Sequence, residues 1–240
     1  MDMDGLLIDT EPIWRLAETA VLAGLGIELT EADLLETTGH QIGAVVAHWM
    51  RTKPRQDASA PRAPGRSEAR PGGAAGHHEP SEAEVTDEIT GMVIAQVTAE
   101  GKPMDGVSEA IALFERWGLA LAIASSSPRR LIDAVCDQLG LGFITVRCSA
   151  AGSVKGKPAP DVYLAAARQL GTPPAQCLAI EDSLPGVAAA KAAGMRCIAV
   201  PDRQLAADPR YQDADLVLPT LAHLDERMLT DLGVCPRPDF

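Results

Sequence analysis

Met1-Asp2-Met3-Asp4-Gly5-Leu6-Leu7-Ile8-Asp9-Thr10 opens the chain with two carboxylates two residues apart and a glycine directly after them. In extended backbone, residues i and i+2 share a side, so Asp2 and Asp4 can face one reacting centre. Paired acids divide labour, one attacking while the other moves a proton. Gly5 lets the chain turn sharply behind them. Chain ends ordinarily fray, which makes residue 2 an unusual place for a catalytic group.

Working outward, Pro12 suits the first turn of a helix with Thr10 as its cap. Trp14, Ala17, Val21, Leu22 and Leu25 recur at helical spacing until Gly24 and Gly26. Further helices are expected from Thr30-Glu31, from Gln41 and over 81–100. Residues 51–80 hold no Val, Ile, Leu, Met, Phe, Trp, Tyr or Cys and are rich in Pro, Gly and Arg. They cannot bury enough surface to offset ordering, so they read as a disordered insertion. His77-His78 beside Glu79 reads as its solvated end rather than a metal site.

From Pro103 the pattern changes to alternating strands and helices. Strands are expected at Leu119–Ala124, Ile144–Cys148, Cys177–Ile180, Arg196–Val200 and Asp215–Leu218. Helices are expected after Pro128, at Asp161–Leu170, at Pro185–Ala193 and at Leu221–Leu229. Apolar, non-alternating strands between helices imply a parallel sheet covered on both faces. Ligands of such sheets lie at the carboxyl ends of the strands. Those ends bring Asp2, Asp4, Ser125, Lys157, Glu181 and Asp182 to one crevice.

Taken singly these residues have plainer readings. Ser125 can cap the helix after Pro128, Lys157 can be a surface lysine, and Glu181-Asp182 can cap the helix near Pro185. Together, four carboxylates need a cation, and oxygen ligands without Cys or His favour Mg²⁺. Carboxylate nucleophile, Mg²⁺, lysine and hydroxyl form a set for phosphoryl transfer. Competing motifs fail. Gly5 falls at the wrong place for an EF-hand, Pro158 stands where a P-loop needs Ser or Thr, and no GxSxG surrounds the serines.

Composition narrows the class. The chain has 240 residues, an apolar fraction of 46% and a formal net charge of -12, so binding to nucleic acid or to an anionic membrane is not expected. The five cysteines, Cys136, Cys148, Cys177, Cys197 and Cys235, lack CxxC spacing and read as thiols of a reducing cytosol. A cytoplasmic location follows, and a monomer is expected.

The motifs Asp2–Pro12, Ala124–Pro128, Gly156–Tyr163 and Ile180–Gly186 resemble those of the haloacid dehalogenase (HAD) superfamily. Within it they are similar to the helical-cap branch of hexitol and 2-deoxyglucose-6-phosphate phosphatases, near the β-phosphoglucomutases. The resemblance covers about residues 1–230 apart from 51–80. It implies a doubly wound, Rossmann-like α/β parallel-sheet core (1–12 and 101–230), an inserted α-helical cap (13–100) and a C-terminal tail (231–240). Hinges would lie near Ile8–Pro12 and Gly101–Gly106.

By the same resemblance, Asp2 is the nucleophile of an aspartyl-phosphate and Asp4 the general acid and base. Ser125, Ser126 and Lys157 hold phosphate. Asp2, Asp4 through its carbonyl, Glu181 and Asp182 hold Mg²⁺. The implied substrate is a small phosphorylated metabolite, a sugar or sugar-alcohol phosphate. Trp14 occupies the position where the branch's mutases carry a cap histidine, which favours a phosphatase over an isomerase. Family members have a buried apolar strand ahead of the nucleophile, and here only Met1 precedes Asp2. The first core strand is therefore expected to be cut short. An unstable or inactive 240-residue form, an inactive remnant, is the corresponding expectation.

Overall fold

The computed structural model describes residues 1–37, 40–54, 79–152 and 155–236. Helix α1 (Glu11–Gly24) starts with Pro12 in its first turn. Thr10 precedes it but makes no side-chain cap bond, contrary to the capping expectation. Its hydroxyl is engaged at the site instead. Helices α2 (Glu31–Thr37) and α3 (Ile42–Thr52) follow, so residues 51–52 close α3 rather than open an insertion. Most of the expected insertion, residues 55–78 with His77 and His78, lies outside the described residues.

Helix α4 (Glu82–Glu100) begins with a capping box. Glu84 N donates to Ser81 Oγ (3.3 Å), and Ser81 N donates to Glu84 Oε2 (2.8 Å), satisfying otherwise orphaned helix-end groups. Helix α4 packs on α1, on α3 and on α6 (Arg129–Gln138). Val85, Ile89, Val93 and Val97 form its buried stripe.

After α5 (Val107–Arg116) the strands β1 (Ala122–Ser125), β2 (Val146–Ser149), β3 (Leu178–Glu181), β4 (Arg196–Ala199) and β5 (Leu216–Val217) alternate with α6, α7 (Asp161–Gln169) and α8 (Leu184–Ala192). The pairings between these strands are parallel: β2 with β1, β3 with β4, and β4 with β5. β3 reaches one residue further than its apolar run, because Glu181 is itself buried and pairs with Ala199. The expected last helix over 221–229 is two pieces, a 3₁₀ turn Leu221–His223 and α9 (Glu226–Asp231). Asp225 divides them by capping α9, its carboxylate accepting from Met228 N at 2.7 Å.

Two residues join the β2–β1 and β3–β4–β5 sheets. Met1 N donates to Ala122 O (2.8 Å), Ala124 N donates to Met1 O (2.9 Å) and Asp2 N donates to Ile180 O (2.9 Å). Met1–Asp2 therefore lies between β1 and β3, bonded to both. Beside Met1, between β1 and β3, lies a cavity of about 130 Å³ lined by Leu121, Ala122, Tyr163, Leu178 and Ile180 among others.

The strands are buried on both faces, and the faces differ. Ile123, Ile180 and Ile198 pack in a core with Met3, Leu6–Ile8 and the buried stripes of α1 and α4. Ala122, Ala124, Ala179, Cys197 and Ala199 turn the other way, onto Val162, Ala166, Val187 and Ala190 of α7 and α8. Small residues there let the helices approach the sheet closely. All five cysteines are free thiols. Among the described residues no helix is long and apolar enough to cross a membrane.

Candidate active site

After Asp2 the chain turns back on itself. Leu7 N donates to Met3 O (2.8 Å) and Gly5 N to Ile8 O (2.9 Å). Gly5 makes the turn at φ 71°, a left-handed conformation that costs a residue with a Cβ. A Cβ there would also run into the Asp182 carboxylate. The bareness of Gly5 therefore lets the first loop close over the end of β3.

Asp2 is buried beside Glu181 and Asp182, and their carboxylate oxygens lie within 4.8 Å of one another. Lys157 Nζ is 2.8 Å from Asp2 Oδ1 and forms a second, very short ion pair with Glu181 Oε1. The Lys157–Pro158 peptide is cis. Tyr163 Oη, from α7, also donates to Glu181 Oε1, while Ser183 Oγ donates to Glu181 Oε2 at 3.1 Å. Ser183, not Glu181 or Asp182, caps α8 by accepting from Gly186 N (3.1 Å). Gly186 lies so close under Glu181 that a Cβ would overlap its carboxylate.

Burial, then the neighbouring Glu181 charge, pushes Asp2 up to about 7 against the pull of Lys157, and Asp4 adds to the rise. Burial first, then Asp2 and Glu181, raises Asp182 well above the usual carboxylate range. Burial would lower the Lys157 ammonium, but Asp2 and Glu181 outweigh it and its pKa rises. Burial, aided by Glu181, raises the Tyr163 phenol as well, so it stays a donor.

Asp4 faces a different set. Thr10 Oγ1 (2.6 Å) and Trp14 Nε1 (3.4 Å) donate to its Oδ1; Ser125 Oγ (3.0 Å) and Ser127 Oγ (2.8 Å) donate to its Oδ2. Ser125 is not a helix cap. Pro128 holds the position before α6, and Ser125 Oγ accepts from Ser127 N (2.9 Å) instead. Ser126 is half-buried, and its hydroxyl makes no hydrogen bond among the described residues. Asp2, Lys157, Glu181 and Asp182 are thus gathered, while the Ser125 hydroxyl lies at the Asp4 carboxylate.

Four contributors had no site role in the sequence reading: Thr10, Trp14 as a partner of Asp4, Ser127 and Tyr163. Only Ser127 carries a local signal, being two residues from Ser125 on a strand-end loop. The others depend on how α1 and α7 are docked.

The residues present fit a hard divalent cation. Three carboxylates against one ammonium leave a buried surplus of negative charge. Asp182 Oδ1 is buried without a hydrogen-bond partner, while Asp2 Oδ1 meets only the Lys157 ammonium. An unpaired buried acceptor such as Asp182 Oδ1 is what an oxygen-liganded cation satisfies.

The haloacid dehalogenase-like hydrolase family matches residues 1–194. Hexitol phosphatase B of Escherichia coli K12 is 35% identical over 230 residues, covering 95% of this chain and 94% of that one. Protein CbbY of Rhodobacter capsulatus is 33% identical over 244 residues, 96% of each. The crystal structure of CbbY from Rhodobacter sphaeroides with phosphate superposes with TM-score 0.74 at 28% identity, over 93% of each chain. A β-phosphoglucomutase from Clostridium difficile has the same TM-score at 16% identity, a likeness of fold. The chain belongs to the haloacid dehalogenase-like hydrolases.

Proposed function

We propose that this chain is a Mg²⁺-dependent phosphatase of a small sugar or sugar-alcohol phosphate, working through an aspartyl-phosphate. The observation that carries this reading is the division of the two N-terminal carboxylates. Asp2 lies among Lys157, Glu181 and Asp182, while Asp4 is held apart by hydroxyls and an indole.

In the proposed cycle a carboxylate oxygen of Asp2 attacks phosphorus. The phosphorus–ester oxygen bond breaks, and the leaving alkoxide takes a proton from Asp4. Water then gives a proton to Asp4 and attacks the aspartyl-phosphate. The Asp2–phosphorus bond breaks, and inorganic phosphate leaves with Asp2 restored. Lys157 offers its ammonium, and Ser125 and Ser126 their hydroxyls, to the phosphate oxygens. Asp2, Asp182, Glu181 and the Asp4 carbonyl would hold Mg²⁺, which when bound supplies positive charge to the carboxylates and to the transferring phosphoryl group.

Residues 13–100 act in this reading as a cap that closes over the ester and excludes water. Gln41 Nε2, ahead of α3, donates to Ala150 O (3.0 Å), and Arg130 of α6 pairs with Asp87 of α4 (2.7 Å). Both contacts support closure. The substrate class is carried over from relatives named for hexitol phosphates.

The test is phosphate release from a panel of small phosphate esters, with Mg²⁺, with EDTA, and with Asp2→Asn. Activity is expected only with Mg²⁺ and Asp2 intact; EDTA-resistant turnover would overturn the reading. With β-glucose 1-phosphate, inorganic phosphate is the expected product, and glucose 6-phosphate would mark an isomerase.

A further inference from the structure

Resting on the phosphatase reading, we propose that Glu18 binds the alcohol part of the substrate, accepting hydrogen bonds from its hydroxyls and so selecting polyol or sugar esters. Trp14 Nε1 reaches Asp4 Oδ1 (3.4 Å), which fixes the face of α1 turned to the site. Glu18 is four residues on, along the same face and one turn further from Asp4. The proposed order is then phosphate at Asp2 and Lys157, ester oxygen at Asp4, and the carbon chain running past Trp14 toward Glu18.

Glu18 is buried at 9% exposure, among the buried positions Ala17, Val21 and Leu22 of α1. Its carboxylate has no hydrogen bond or ion pair among the described residues. The nearby guanidinium of Arg15 is paired with Glu11 instead (3.0 Å). A carboxylate buried to this extent, with solvent as its only donor, is costly, and Leu or Ala would serve this helix position better. Burial, then Glu11, lifts its pKa to about 7 against Arg15. Substrate hydroxyls supply the missing donors. An aryl or short alkyl phosphate has none to give, so the preference follows from leaving Glu18 unpaired.

The experiment compares the parent, Glu18→Gln and Glu18→Leu on sorbitol 6-phosphate, p-nitrophenyl phosphate and inorganic phosphate. Hydrolysis gives kcat and KM, and calorimetry with Mg²⁺ on Asp2→Asn backgrounds gives Kd. For sorbitol 6-phosphate, Kd and KM are expected to rise roughly tenfold or more with leucine and less with glutamine, which keeps one acceptor. The kcat stays within about threefold, and p-nitrophenyl phosphate and inorganic phosphate change less than about twofold. Equal losses on both esters, no loss on either, or a loss in kcat alone would overturn the proposal. If the parent releases phosphate from neither ester, the phosphatase reading fails separately. Calorimetry then decides, and an unchanged Kd for sorbitol 6-phosphate, or no binding by the parent, counts against Glu18.

Discussion

Asp4 accepts from four side chains drawn from three places: Thr10, Trp14 of α1, and Ser125 and Ser127 at the end of β1. Each donor helps to fix its direction. Ser127→Ala removes one of them without touching the proposed phosphate ligands. Its kcat should fall roughly tenfold with KM within about twofold, as expected for one hydrogen bond to a charged group; steady-state kinetics on the best ester checks it. Glu18 carries a stability prediction as well. Its carboxyl titrates near 4.5 unfolded and near 7 folded. Between those values the folded state binds more protons, so stability falls as pH rises through that window and is level outside it. Glu18→Gln removes the effect. It should match the parent at pH 4 and exceed it by about 3 kcal/mol at pH 8 in urea unfolding. A constant offset at both pH values would show that Glu18 titrates normally.

The central strand and α8 set the limits at the level of elements. Met1–Asp2 makes three backbone hydrogen bonds to its neighbours, and a cavity of about 130 Å³ adjoins it. An engineered extended segment of four β-branched residues fused ahead of Met1 would fill apolar space and pair with both flanking strands. It should raise the melting temperature by several degrees, since about 1 kcal/mol moves a domain of this size by roughly 2–4 °C. An unchanged melting curve would mean that the two residues already suffice. At the start of α8, Gly186→Ala sets a methyl against Glu181. Loss of activity together with a destabilisation of roughly 1–3 kcal/mol is expected, read by kinetics and thermal unfolding.

At the scale of the whole molecule, the helices of the proposed cap meet the rest of the chain, among the described residues, through polar contacts that include Gln41 to Ala150 O, Arg130 to Asp87 and Trp14 to Asp4. The Gln41 side chain also crosses Gly156, next to Lys157. Gln41→Ala should loosen the proposed closed state with little change at the proposed Mg²⁺ site. KM should rise several-fold while the rise in melting temperature on adding Mg²⁺ stays as in the parent. Loss of that Mg²⁺ shift would place Gln41 in the metal site's support instead.

Residue order alone determined the strand–helix alternation, the parallel sheet and the short list Asp2, Asp4, Ser125, Lys157, Glu181 and Asp182. Hydrophobic periodicity and Gly or Pro punctuation act over a few residues, and strand ends inherit their chemistry from position. The same local signals misread Thr10 as a helix cap and, taken singly, offered that role to Ser125 and Glu181 too, because a hydroxyl or carboxylate before a helix has two possible partners and only docking chooses between them. Tertiary structure made that choice. It sent Thr10 and Ser125 to Asp4, placed Glu181 in β3 under Tyr163 and Lys157, and brought Trp14 of α1 to Asp4. It also placed Met1–Asp2 between β1 and β3, bonded to both, with a cavity beside Met1.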